Sequence, residues 1–150
     1  MRKACRRRLV VPQLPRGLRP RLTEHQVREL NLIHHIHLDA VATGDTNEKT
    51  LWHLVECALT WSRVASHLVR HAAVMRAHLD LITSLVTRYG RTGRIVFTGP
   101  EYQQAKHGVN VMNELATCTD LATAQEAAEW SRRRVPELMN QHKQQEPACA

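Results

Sequence analysis

Between Leu51 and Ala128, apolar side chains recur at alternating steps of three and four residues. That spacing returns each side chain to the same side of a helix of about 3.6 residues per turn, and it excludes the two-residue alternation of a half-buried strand. The clearest run is Leu68, Ala72, Met75, Leu79, Ile82, Val86 and Tyr89. Leu51, Leu54, Ala58, Trp61 and Ala65 precede it, and Val55 and Leu59 widen that stripe. An earlier set comprises Val27, Leu30, Ile33, Ile36, Ala40 and Val41. Two later ones are Tyr102, Ala105, Val109, Met112 and Ala116, then Leu121, Ala124 and Ala128. Each stripe needs cover, and helices with seams of this spacing cover one another in a bundle. The expectation is an all-α bundle of four to five helices over residues 23–139.

The helix ends carry their own signals. Thr23 and Gln26 form a capping box, and Gly44 suits the left-handed residue that closes a helix. Asp45 or Thr46 is expected to cap the second helix. No Gly or Pro separates the second stripe from the third. A break is placed near Ser66–Arg70, because an unbroken helix from 46 to 89 would be about 66 Å long. Gly90-Arg91-Thr92-Gly93-Arg94 ends the third helix, and Ile95-Val96-Phe97 is expected to cross the bundle surface as a short extended segment near 94–98. Thr98, Pro100 and Glu101 start the fourth helix. Thr119 is expected to start the fifth, with Arg132, Arg133 and Arg134 at its negative end. Pro136 is expected to stop it, leaving 140–150 as a frayed tail.

Charge is segregated. The chain has a net charge of +7, yet residues 1–22 hold Arg2, Lys3, Arg6, Arg7, Arg8, Arg16, Arg19 and Arg21 and no acid. The other 13 basic residues face all 14 acidic ones, so the body is close to neutral. Pro12, Pro15 and Pro20 make this stretch an extended arm rather than a helix. Leu9, Val10, Val11, Leu14 and Leu18 are available to dock it on the body. Such an arm can neutralise nucleic-acid phosphates or engage an acidic protein groove, but no aromatic residue interleaves the arginines to stack on bases. The arm lacks an apolar core for a secretory signal, and its prolines argue against a mitochondrial presequence. No stretch approaches the roughly 18 apolar residues of a membrane span. Cys5, Cys57, Cys118 and Cys149 are scattered without metal-ligand spacing. They read as free thiols of a cytoplasmic protein, two of them in the core.

Histidine is the unusual residue, with ten copies. His34, His35 and His37 cluster on the first helix, and His37 falls on the apolar face between Ile33 and Val41. It is read as a core histidine, with a metal ligand or pH sensor as the alternative. His67, His71 and His78 follow one stripe on the third helix. His78 lies about 10 Å beyond His71 along the axis, so the three cannot share one ion; they read as a solvated border able to grip a partner. No metal or cofactor is expected. The glycines of 90–99 lack the phosphate-loop patterns, although Arg91 and Arg94 could touch an acidic partner. No carboxylate pair, nucleophile elbow or Cys–His signature stands out, so the chain is not expected to be an enzyme.

The stretch Thr92-Gly93-Arg94-Ile95-Val96-Phe97-Thr98-Gly99-Pro100-Glu101, with the helix that follows ending in Met112-Asn113-Glu114-Leu115, resembles a group of short proteins encoded by phages and integrated mobile elements of Proteobacteria. Gly17-Leu18, Leu22-Thr23 and the run Asp45 to Ala58 share the likeness, which covers most of residues 15–125. Members often carry a glycine near the second-to-third helix junction, where this chain has Ser66, His67 and Arg70. The resemblance implies a helical fold and a mobile-element origin. It implies no activity and supplies no site residues. The functional expectation is a non-enzymatic accessory protein that binds a host or element protein through a helical surface, with homo-oligomerisation open. The alternative is a nucleic-acid accessory protein that uses the arm.

Overall fold

The computed structural model describes Pro15, residues 18–45 and residues 47–145. Five helices follow in order: α1 (Glu24–Ala42), α2 (Glu48–Ala65), α3 (Val69–Thr92), α4 (Gly99–Cys118) and α5 (Leu121–Gln145). α2 is the centre of the bundle. It packs against α1, α3 and α5, while α4 closes the far side against α1 and α3. The break between α2 and α3 falls where it was expected, with Ser66 and His67 in the turn.

α2 also shows the seam expected of it. Leu51, Leu54, Val55, Ala58, Leu59, Trp61 and Ala65 are all buried, as are Trp52 and Val64. Gly93 closes α3 in the left-handed conformation (φ 62°), which a side chain would strain. The 95–97 segment then crosses the bundle surface: Ile95 is fully buried, Val96 points to solvent, and Phe97 packs on Tyr102. Thr98 and Glu101 make the full capping box of α4. Glu101 is also gripped through both carboxylate oxygens by Arg88 of α3, whose guanidinium bonds the Val96 carbonyl at 2.7 Å. The Arg88 bonds hold the Glu101 carboxyl down at about 2. One ion pair thus ties the end of α3, the extended segment and the start of α4.

Other ends differ from expectation. Asn47, not Asp45, caps α2 by accepting from the Lys49 N–H; Asp45 instead accepts from the Asn47 N–H and the Thr50 hydroxyl. Thr46 lies outside the described residues. Thr119 is the C-cap of α4 rather than the start of α5, and Asp120 accepts the Thr123 N–H of the next helix. α5 runs through Pro136 to Gln145. Pro136 is solvent-exposed, so the helix bond it deletes lies on the wet side, while Val135, Leu138 and Met139 keep the buried side packed. The three arginines therefore sit in mid-helix: Arg132 lies 3.5 Å from Glu56, and Arg133 bonds the Glu129 carbonyl. The last turn carries His142 and Lys143.

The largest correction concerns α1. Its buried residues are His34, Leu38 and Val41, with Val27 and Leu30 partly buried. Ile33 (43% exposed) and Ile36 (53%) face outward, and so does Leu32 (60%). The helix is turned so that a histidine, not an isoleucine, enters the core.

Candidate functional site

His34 is 2% exposed and sits where α1, α2 and α4 meet. The Trp61 indole N–H donates to its Nε2 at 2.8 Å. An indole can only donate, so that nitrogen carries the lone pair and Nδ1 carries the proton. Nδ1 then donates to Oδ1 of Asn113 at 3.2 Å, which turns the Asn113 amide N–H toward Nε2 of His35 at 3.1 Å. A directed chain of hydrogen bonds thus runs from α2 through α1 to α4 and back to α1. Burial pushes the His34 pKa down to about 4. The ring is neutral near pH 7, and protonation would set a second N–H against that of Trp61.

His78 of α3 is also 2% exposed. Its ring rests against α4 at Gly108: a Cβ on that glycine would come within 2.1 Å of the imidazole. Burial, and then the proximity of His34, lowers its pKa to about 4. The two rings are side chains of the core, held neutral as wedges between helices. His37, expected in the core, is half-buried and stacks on His53 of α2 at 4.9 Å between ring centres. Burial and then His53 lower its pKa.

The expected histidine stripe on α3 does not form. His67 is in the α2–α3 turn and exposed, His71 is partly buried with Nε2 3.5 Å from Glu114, and His78 is fully inside. Among the described residues, no group of three His, Cys, Asp or Glu side chains converges on a point that could hold a metal ion. Cys57 is partly buried against the core, and burial pushes its thiol up to about 12; Cys118 is exposed, and Cys5 and Cys149 lie outside the described residues.

Of the arm, Arg2, Lys3, Arg6, Arg7, Arg8 and Arg16 lie outside the described residues, as do Leu9, Val10, Val11 and Leu14. Arg19 lies 3.9 Å from Asp120, and Arg21 bridges backbone to Asp120. Leu22, rather than the 69%-exposed Leu18, is the residue that packs on the bundle here. Arg91 and Arg94 are exposed near the α3–α4 connection. They are not brought together with His67 or His71, which lie at the opposite end of the 24-residue α3.

One surface feature was not among the expected sites. α1 and α5 both pack on α2 but make little contact with each other, and an open groove of about 480 Å³ lies between them. Its walls include Leu30, Ile33, Leu121, Ala124 and Ala128, and Glu29, Glu129 and Arg132 stand at its margin. Leu121, Ala124 and Ala128 are thus only partly covered; Ala127, Ser131 and Val135 take the buried positions of α5. Beside the groove runs the outward face of α1. The sequence signal for this surface was present as an excess: α1 carries more large apolar residues than one inward stripe can use.

No helix among the described residues is long and apolar enough to cross a membrane. No family model matches the chain, and neither a curated protein nor a solved structure shows detectable similarity to it.

Proposed function

We propose that this chain is a non-enzymatic interaction protein of a phage or mobile element, working in the cytoplasm by binding a host or element protein through its helical surface. The observation that carries this reading is the open α1–α5 groove, apolar on its walls and charged at its margin. Such a cleft suits the apolar face of a partner helix. The histidines, the most reactive-looking residues of the sequence, support the same reading from the other direction. His34 and His78 are spent on holding helices together, which leaves recognition to the surface. The mobile-element assignment rests on the likeness of residues 92–101.

Affinity capture from host lysate tests the reading with paired baits. The parent chain and Ala128→Glu, which places a carboxylate in the groove wall, are compared. A prey held by the parent and lost with Ala128→Glu is the expected result. Identical capture by both baits counts against the groove.

The segregated charge favours a second reading, in which the arm adds salt-sensitive, sequence-blind affinity for nucleic acid. Duplex binding that falls steeply between about 50 and 200 mM salt, and that disappears when Arg6, Arg7 and Arg8 become Ala, is the expected signature. Binding that survives the triple substitution rejects it.

A further inference from the structure

α1 presents an apolar face to solvent. Leu32 and Ile36 are one turn apart and 60% and 53% exposed, the densest cluster of large exposed apolar side chains in the described structure once Ile33 is included. α2 and α4 cover the opposite side of the helix and leave this face open. Flanking it are Arg28 and Asp39, both exposed. Neither is in an ion pair among the described residues.

The placement of these two charges is specific. They are eleven residues apart, which at about 3.6 residues per turn is close to three whole turns, so they share one shoulder of the helix. The midpoint of Leu32 and Ile36 falls at residue 34. Arg28 lies about 9 Å to one side of it and Asp39 about 7.5 Å to the other, at about 1.5 Å per residue. A two-fold axis through that midpoint, normal to the plane of two antiparallel helices, brings matching shoulders together. It sets Arg28 of each copy beside Asp39 of the other, with a mismatch of about 1.5 Å. A parallel two-fold pairing of the same faces would carry the matching shoulders to opposite sides of the seam, where neither charge meets its complement.

We propose that the chain forms a symmetric homodimer in which the outward faces of α1 pack antiparallel, Leu32 and Ile36 meeting across the axis and two Arg28–Asp39 pairs fixing the register. The interface is isologous and closes on itself. The dimer rests on the reading of the helical surface as an interaction surface, but it uses the outer face of α1 and leaves the groove wall of α5 free. A single helix pair covers less than the roughly 800 Å² per partner of a standard interface, so dissociation on the order of 10 µM is expected.

Sedimentation of the full chain from about 1 to 300 µM, centred on that estimate, tests this. The parent should pass from monomer to dimer, and Leu32→Glu, at an exposed position, should stay monomeric with an unchanged helical circular dichroism signal. Arg28→Asp alone and Asp39→Arg alone should each weaken the dimer about tenfold or more, and combining them should restore it to within about threefold of the parent. A parent chain that stays monomeric, a dimer indifferent to Leu32→Glu, or a charge swap without rescue overturns the proposal. None of those results bears on the Ala128→Glu capture experiment, so the two ideas fail separately.

Discussion

α1 and α2 lie side by side and were built by opposite rules. α2 turns its apolar stripe inward, and nearly every large side chain the periodicity marks is buried. α1 turns His34 inward, along with only part of its stripe, and leaves Leu32, Ile33 and Ile36 in solvent. Turning α1 to bury Leu32, Ile33 and Ile36 would bring out Val27, Leu30, Leu38 and Val41, so apolar burial at about 25 cal/mol per Å² gives no reason to rotate. The chain from Trp61 through His34 and Asn113 to His35 reinforces the observed orientation. Turning α1 would leave a buried indole N–H without a partner, at about 1–3 kcal/mol, and break the bonds of a half-buried amide. A satisfied polar network thus helps to set which side of a helix with apolar residues on both sides faces inward, and the surplus is left at the surface.

Acid should have the largest effect, acting through a buried histidine of α1 and one of α3. The folded pKa values of His34 and His78, about 4, lie below the ordinary 6.5, so the unfolded chain takes up protons first as pH falls. Stability is complete above about pH 6.5 and is lost progressively toward pH 4. Between pH 7 and pH 5 the two rings together should cost on the order of 4 kcal/mol. The Glu101 carboxyl, near 2, contributes nothing in that window. Urea unfolding at the two pH values measures the difference, and equal midpoints would refute the neutral-core account.

Leu51→Ala in α2, at a fully buried position, should cost about 3 kcal/mol at either pH. His34→Leu keeps the volume but strands the Trp61 N–H and Asn113. It should cost about 2 kcal/mol at pH 7 and should also shrink the pH 7-to-5 difference by about half. A full-sized pH response in His34→Leu would place the titrating group elsewhere. Smallest of all, Ile36→Ser should change the stability of the monomer, measured at low protein concentration, by no more than about 0.5 kcal/mol. A loss as large as that of Leu51→Ala would mean that the outer face of α1 is covered within the chain.

The same contrast explains how much could be read from the sequence. Helix number, the α2–α3 break, the capping boxes at Thr23 and Thr98 and the extended plug at Ile95 follow from local rules, which act over three or four residues. The orientation of α1 does not, because Asn113 is 79 residues away from His34 and no local pattern announces the bond. His78 was placed at a border for a related reason: its pocket exists only because residue 108 of another helix is glycine. Pro136 misled in the opposite direction. A strong local breaker was overridden by packing of Val135 and Leu138 on its far side. The groove is lined by two helices together, and neither helix reveals it alone.

Among the described residues, two imidazoles rest on bare backbone: His78 on Gly108, and His142 on Gly90, where an added Cβ would fall 2.3 Å from the ring. Neither member of such a couple can drift by itself. A methyl at residue 108 expels the ring, and a smaller residue at 78 opens a void beside an unfilled glycine. In lineages descended from this chain, glycine and histidine at each couple are therefore expected to be kept or exchanged together, a correlation that could be counted without solving another structure.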